Sequence, residues 1–336
     1  MPGSRLAEAL LEAAPGATRA LVLEGGRLLE AHLERDDAGP LPGARHVARL
    51  VRVLVPGLRG IARLVCGTEV LLQPLPPVPE GALLRLEVIR MALPEAGRPR
   101  LARARPVAGE AEAMREIAPG PALAARLKAA GHRVRTLRPG TGDALEAAGW
   151  GEVMAEAESG HVAFAGGLLT ISLTPAMVAV DVDGAMAPAA LAEAACGPLA
   201  QAIRRLGLAG SIVVDFPTLK GEARKALDRT LAAALASHLP PPFEVTGING
   251  FGLVQIVRPR THMGLMEATR APGHHALELL RRAAQGLGEA TLTGPPAMID
   301  WLAARPALLA AVARARGGAL HLQAASGIAT SAAHVG

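Results

Sequence analysis

The stretch MVAVDVDGAM, residues 177–186, decides the fold that the sequence predicts. Its apolar first half is typical of a buried strand, and the strand ends in Asp181 and Asp183 followed by a glycine. A second apolar run, SIVVDF at 211–216, ends in Asp215. One helical segment, with apolar residues at three- and four-residue spacing, connects the two runs. This order predicts neighbouring parallel strands joined by a helical crossover, with both strand ends at one edge of an α/β sheet.

The rest of the chain predicts further strands and two more regions. Residues 18–35 have the pattern of a β-hairpin around a Glu-Gly-Gly turn. Short apolar runs separated by Gly and Pro over 46–105 indicate a small barrel or sandwich. Residues 107–150 are Ala-rich and predicted to be helical, strands return between 165 and 260, and the tail from 263 is predicted to be mostly helical.

Composition excludes some classes of protein and leaves others open. The chain has 336 residues, 50% of them hydrophobic, and a net charge of +5 that allows nucleic-acid binding without requiring it. Its two cysteines, Cys66 and Cys196, lack C-x-x-C spacing and are expected to be small buried side chains in a reducing cytoplasm. The N-terminus lacks the pattern of a signal peptide, and no segment has the ~18 uninterrupted apolar residues of a membrane helix.

The carboxylates at the two strand ends allow two interpretations. Ligands bind at the carboxyl edge of an α/β sheet, and two carboxylates placed there repel each other unless a proton or cation lies between them. Mg²⁺ prefers such oxygen ligands and could activate water for phosphodiester cleavage. Alternatively, an aspartate after a strand forms a turn or an N-cap, and Asp215 precedes the entry to a helix.

Three motifs resemble the ribonuclease E/G family of bacterial endoribonucleases, in the same order as in that family. They are GGLLTISLTPAMVAVDVDG at 166–184, LAGSIVVDFPTL at 208–219 and FGLVQIVRPR at 251–260. Weaker similarity extends to RALVLEGGRLLEAHLER at 19–35 and to residues 40–105, which resemble the family's first hairpin and its inserted OB-fold.

The resemblance implies a site and its cofactor. Asp181 and Asp215 match the two aspartates that bind Mg²⁺, with Mn²⁺ as an alternative ion. Asp183 matches an asparagine that helps to orient the site, and Arg258 matches an arginine near the active site that is suited to a phosphate oxygen. Four further arginines are expected to bind single-stranded RNA: Arg90, Arg98, Arg100 and Arg260.

The resemblance also implies an α/β fold with RNase H-like and DNase I-like layers and an inserted OB-fold barrel. The expected divisions are the first hairpin (1–36), the OB-fold (37–106), a shortened sensor and RNase H-like remainder (107–164), the catalytic α/β domain (165–262) and a C-terminal helical region (263–336).

The chain departs from the family in ways that bear on function. The region that senses a 5′-phosphate is shortened, and the cysteine zinc link is absent, so no zinc is expected and a homo-oligomer would have to form without it. His262, His274 and His275 match no family role and are interpreted as surface histidines. Since no aromatic residue precedes Trp150, RNA binding by the barrel should be mainly electrostatic. Two functions follow: a magnesium-dependent endoribonuclease that leaves a 5′-phosphate and a 3′-hydroxyl, or a non-catalytic RNA-binding protein with the same fold.

Overall fold

The computed structural model describes residues 7–94, 100–137 and 143–336. The strands are β1 (Glu8–Ala14), β2 (Ala17–Glu24), β3 (Arg27–Arg35), β4 (Arg45–Val55), β5 (Arg59–Arg63), β6 (Glu69–Leu72), β7 (Leu83–Arg90), β8 (Ala102–Pro106), β9 (Arg115–Ala118), β10 (Arg133–Thr136), β11 (His161–Phe164), β12 (Gly167–Leu173), β13 (Val178–Gly184), β14 (Gly210–Asp215), β15 (Glu244–Val245), β16 (Leu253–Arg258), β17 (Ala290–Gly294), β18 (Leu320–Ala324) and β19 (His334–Val335). The helices are α1 (Leu123–Ala129), α2 (Trp150–Ser159), α3 (Pro188–Arg205), α4 (Gly221–His238), α5 (Leu265–Arg270), α6 (His274–Ala284), α7 (Pro296–Ala303) and α8 (Pro306–Arg316), with one 3₁₀ turn at Thr330–Ala332.

The N-terminal strands form a four-stranded sheet in the order β10-β1-β2-β3. The predicted hairpin is present as β2 and β3, which turn at Gly25 and Gly26. The sequence of β1, EALLEAA, has helix-forming residues, yet it pairs antiparallel with β2 and parallel with β10. Two neighbouring strands therefore override its weak helical propensity.

The β-rich segment closes into a barrel of five strands, as its Gly and Pro spacing predicted. The order around the barrel is β4-β5-β6-β8-β7 and back to β4, and β9 pairs along β4. Small and branched apolar side chains such as Leu50, Leu72 and Leu86 fill the interior. Cys66 lies in the turn after β5 and is exposed, contrary to prediction, because the turn carries it out of the barrel wall; Cys196 is buried in α3. The prediction of a mixed α/β chain with a small β-barrel is confirmed.

A six-stranded sheet contains the motifs that the sequence singled out. Its order is β11-β12-β13-β14-β16-β15, and β13 and β14 are parallel and joined by α3. Leu199 of α3 and Leu231 of α4 belong to the same core as Val180 and Val214. Because both helices pack on one face of the sheet, the alternate side chains of β13 and β14 point to the other, more exposed face. The α3 helix runs through Gly197-Pro198 without dividing.

The C-terminal region, predicted to be mostly helical, contains a sheet as well. Besides α5 to α8 it contains a three-stranded sheet in the order β18-β17-β19. The sequence of β17, ATLTG, alternates buried and half-buried residues over only five positions, too few to reveal a strand among Ala-rich helices. In the described ranges no single helix is long and apolar enough to cross a membrane, although α7 and α8, which meet at 87°, pass that test as a pair.

Candidate active site

The two predicted aspartates lie directly opposite each other on adjacent strands. In the parallel register of β13 and β14, Asp181 pairs with Asp215. Both are exposed, whereas Val180 and Val214, which precede them, are buried. Residues in register on parallel strands about 4.8 Å apart point to the same face of a sheet. Asp183, two positions further along β13, is also exposed and shares this face.

The electrostatics of these carboxylates favour a proton or a cation between them. Partial burial, a hydrogen bond with Asp183, and the charges of Asp183 and Asp215 together raise the pKa of Asp181. The three carboxylates do not form a closed triad. Among the described residues, only one group of three side chains has one potential ligand atom from each within 4.8 Å of the other two, and it lies elsewhere. A hard cation at this edge would use one or two carboxylates and complete its shell with water or phosphate.

A glycine allows β16 to begin beside Asp215. Gly252 has a φ of 96°, and a Cβ there would collide with the carbonyl oxygen of Phe216. The Phe216 amide donates to the Gly252 carbonyl at 3.2 Å. The side-chain oxygen of Asn249 accepts a hydrogen bond of 2.9 Å from the Phe251 amide, which fixes the preceding loop. The Asn-Gly-Phe-Gly segment thus holds its backbone against the aspartate edge.

Arg258 does not lie at the aspartates, which corrects the prediction that it contacts the reacting phosphate. In the β14–β16 register Asp215 pairs with Leu253, whereas Arg258 pairs with Gly210 at the other end. The offset of five positions between Leu253 and Arg258 spans about 17 Å, and because it is odd, the Arg258 side chain points to the helix-covered face. Its guanidinium donates to the carbonyl of Leu208 at 2.8 Å, and burial lowers the pKa of Arg258. Its role is therefore to satisfy carbonyl groups in the last turn of α3 and just after it, those of Ile203 and Leu208.

The predicted arginines of the barrel also lie away from the aspartates. Arg90 donates to the carbonyl of Leu101 at 2.7 Å, between strands of the barrel. Arg100 donates to the carbonyl of Pro175 at 2.6 Å, just before β13. Because Asp181 is six residues further along, Arg100 joins the barrel to the opposite end of this sheet.

Of the two remaining predicted arginines, the structure describes Arg260. Arg260 forms an ion pair with Glu267, whose carboxylate also accepts a hydrogen bond from the Gly264 amide at the start of α5. Arg260 is thus engaged in joining β16 to α5. Arg98 lies outside the described residues.

Three residues near Asp215 were missed by the sequence reasoning. Phe251 is 80% exposed, two positions before the residue that pairs with Asp215. Lys220 is exposed at the N-cap of α4, and the Arg224 guanidinium would lie 3.8 Å from a Cβ added to Gly250. Two features of the sequence could have indicated these residues. Phe251 is an aromatic residue between two glycines, and two of the three lysines in the chain follow Asp215.

The barrel has a cationic surface that differs from the predicted one. Five exposed arginines project from β4 and β5: Arg45, Arg49, Arg52, Arg59 and Arg63. Arg49 and Arg63 are directly opposite in the antiparallel register, an arrangement that like charges disfavour. Glu69 of β6 neutralises only Arg63, through an ion pair of 2.8 Å. Arg49 donates only to a neutral acceptor, the carbonyl of Gly81 at 3.0 Å, so its charge is available to a phosphate group.

Comparison with known proteins supports the resemblance that the motifs indicated. The model of the Ribonuclease E/G family matches residues 125–261, which include both aspartates and the strand that follows them. No curated protein matches the chain significantly. The matched segment makes up about two fifths of the chain's length.

Proposed function

We propose that the chain is a magnesium-dependent endoribonuclease that cleaves single-stranded RNA by phosphodiester hydrolysis. One observation supports this most directly: Asp181 and Asp215 lie in register on one exposed face, within the segment that matches the ribonuclease E/G family. A turn-forming or N-cap aspartate would not need an acidic partner across the strand. The mutual repulsion of the carboxylates argues against a purely structural pair.

The donor set of this edge fits a hard divalent cation. Asp181 and Asp215 would hold Mg²⁺ or Mn²⁺. The raised pKa of Asp181 reflects partial burial together with repulsion by Asp183 and Asp215, and a cation would relieve this repulsion. When bound, the ion would polarise a phosphodiester and lower the pKa of a coordinated water. Asp183 would orient this water or a ligand carboxylate, and Lys220 and Arg224 would attract the RNA backbone.

The surfaces around the edge suit a single strand rather than a duplex. In this proposal the five-stranded barrel is an OB-fold inserted into an RNase H-like part, and the aspartate sheet is a DNase I-like layer. The arginines of β4 and β5 would hold phosphates, and Phe251 would stack on one base near the reacting group. Stacking requires an unpaired, accessible base, and this favours single-stranded RNA as the substrate.

The test is cleavage of a 5′-labelled single-stranded RNA by the purified chain with Mg²⁺, with Mn²⁺ and with EDTA. We expect cleavage with either ion and none with EDTA. Asp215→Asn should reduce cleavage to the EDTA background while RNA binding persists, because a neutral amide holds a hard cation less tightly. Asp300→Asn is the matched control, since Asp300 is exposed on α7, away from the site. Equal cleavage by Asp215→Asn and the parent would overturn the catalytic assignment.

A non-catalytic RNA-binding protein is the second candidate. The observation in its favour is that Arg258 satisfies backbone carbonyls and leaves the aspartate edge without the predicted arginine. A parent chain that binds single-stranded RNA but is inert with both ions, on RNAs of varied sequence, would establish this function instead.

A further inference from the structure

A histidine pair and a glutamate meet where α2 and α6 approach each other. Glu158 lies near the end of α2, and His274 and His275 are the first two residues of α6. One potential ligand atom from each side chain lies within 4.8 Å of the other two. The rings of the two histidines are 5.0 Å apart and meet edge to face. The cluster is separate from the aspartate edge and from every residue assigned a role there.

The buried ring nitrogen Nε2 of His274 is the second feature of this cluster that points to a bound cation. The residue is only 3% exposed, which corrects its interpretation as a surface histidine. Its Nε2 atom has no hydrogen-bond partner in the described part of the chain, and it lies 3.5 Å from Oε1 of Glu158. A buried polar atom without a partner is unfavourable, so a native structure normally supplies one. A bound cation would supply the partner here.

The distance between Nε2 of His274 and Oε1 of Glu158 is close to the distance between two ligands of one metal ion. With metal–ligand bonds of about 2.0–2.1 Å, two ligands of a tetrahedral zinc ion lie roughly 3.4 Å apart. Nε2 of His274 and Oε1 of Glu158 are already at 3.5 Å. Glu158 and His275 are exposed, so small side-chain rotations can bring the third ligand to the same distance.

We propose that Glu158, His274 and His275 bind a Zn²⁺ ion, with water or an external ligand in the fourth position. Two imidazoles and one carboxylate form a donor set that zinc uses in proteins, whereas Mg²⁺ prefers oxygen ligands alone. Burial and the neighbouring His275 lower the pKa of His274, against the opposing charges of Glu278 and Glu158, and favour the neutral imidazole that a metal requires. The positive end of the α6 dipole opposes a cation here, but this effect is small beside three direct ligands.

The site would connect two regions that are distant in the chain. Glu158 lies inside the segment that matches the family, and the histidines lie beyond it in the C-terminal region. A zinc ion would fasten α6 to α2 and so stabilise the attachment of the C-terminal region. The absence of zinc was predicted from cysteine spacing, and a His-His-Glu site does not depend on that signal.

The experiment uses the full chain without a histidine tag, stripped with EDTA and then freed of chelator. Titration with Zn²⁺ against a chromophoric zinc chelator should show one ion per chain with a dissociation constant below about 1 μM. His275→Ala and Glu158→Gln should each weaken binding at least tenfold, roughly the effect of perturbing a metal site. Both positions are exposed, so these variants should fold. His321→Ala is the matched control because His321 contacts Glu289 at 2.6 Å and is not part of a three-ligand group in the described ranges.

Two further measurements separate this site from the aspartate edge. The double variant Asp181→Asn/Asp215→Asn should bind zinc as tightly as the parent. Saturating Zn²⁺ should raise the melting temperature of the parent by about 5 °C and that of His275→Ala by much less. The proposal is overturned if the stripped parent shows no stoichiometric binding, or if His275→Ala and Glu158→Gln bind zinc as tightly as the parent. Loss of binding only in the double aspartate variant would also overturn it.

Discussion

Replacing Glu30 by glutamine should loosen the contact between the first hairpin and the aspartate sheet. Glu30 projects from β3, and its Oε1 accepts two hydrogen bonds from the Arg204 guanidinium of α3, at 2.8 and 2.9 Å. Its other oxygen lies 3.1 Å from Nε2 of His32. The Glu30 side chain is 17% exposed and that of Arg204 is 20% exposed. Glutamine keeps the shape of the side chain but removes the charge, so the half-buried Arg204 loses its counterion.

The pKa of Glu30 gives the expected change in the free energy of unfolding on replacement by glutamine. Burial alone would raise this pKa, but the hydrogen bonds and charges of His32 and Arg204 lower it from 4.5 to about 2. At about 1.36 kcal/mol for each pH unit, this corresponds to an upper value of about 3.4 kcal/mol. The His32 contribution exists only while the imidazole is protonated, and solvent screens part of the remainder. We therefore expect the free energy of unfolding to fall by about 2 kcal/mol at pH 7.5.

The stabilisation that Glu30 provides should decrease at acid pH. Because the folded pKa is depressed, the stabilisation is fully present above pH 4.5 and is lost as the pH falls towards about 2. The part of the difference between the parent and Glu30→Gln that Arg204 contributes should therefore be constant from pH 8 to about 5.5. Protonation of His32 can only add to the difference in this range, and the whole difference should shrink below pH 4.5.

Urea unfolding at each pH measures this difference. Tryptophan fluorescence reports the main core through Trp150, which is 2% exposed, and circular dichroism provides a second probe. Glu24→Gln, an exposed glutamate at the hairpin turn, is the control and should change stability by less than about 0.5 kcal/mol. A Glu30→Gln effect no larger than the control, or one that does not shrink below pH 4.5, would refute this explanation.

Three further predictions concern RNA. Asp183→Asn should keep or raise Mg²⁺-dependent cleavage, because it restores the residue that the family has there; loss of all cleavage in a labelled-RNA assay would show that the third carboxylate is required. Phe251→Ala should weaken binding of single-stranded RNA roughly 5- to 150-fold, the loss of one stacked base, while Leu287→Ala, which removes an apolar side chain 85% exposed, should not change it; equal affinities by fluorescence anisotropy would exclude stacking on Phe251. Replacing Arg49 and Arg63 together by Gln should reduce the slope of log affinity against log salt by about 1 to 2, and an unchanged slope would show that RNA binds elsewhere.

The motif strands were predictable because their signals are local. Apolar runs that end in Asp181 and Asp215, joined by one amphipathic helix, allow few arrangements other than adjacent parallel strands. Because each aspartate follows the apolar run of its strand, placing the strands side by side and parallel brings the two carboxylates to one edge of the sheet. The barrel followed in the same way from short β-like runs separated by Gly and Pro, although its closure required pairing between distant strands.

The role of each cationic or imidazole side chain was decided by the tertiary structure. The motif places Arg258 in the strand beside Asp215, but the register and the odd offset turn it to the helix-covered face at the other end. Glu158 and His274 are 116 positions apart, and only the packing of α2 against the C-terminal region brings them to 3.5 Å. Sequence periodicity states which residues share a face of one element. It carries no information on which faces of different elements meet, because that depends on how all the elements pack together.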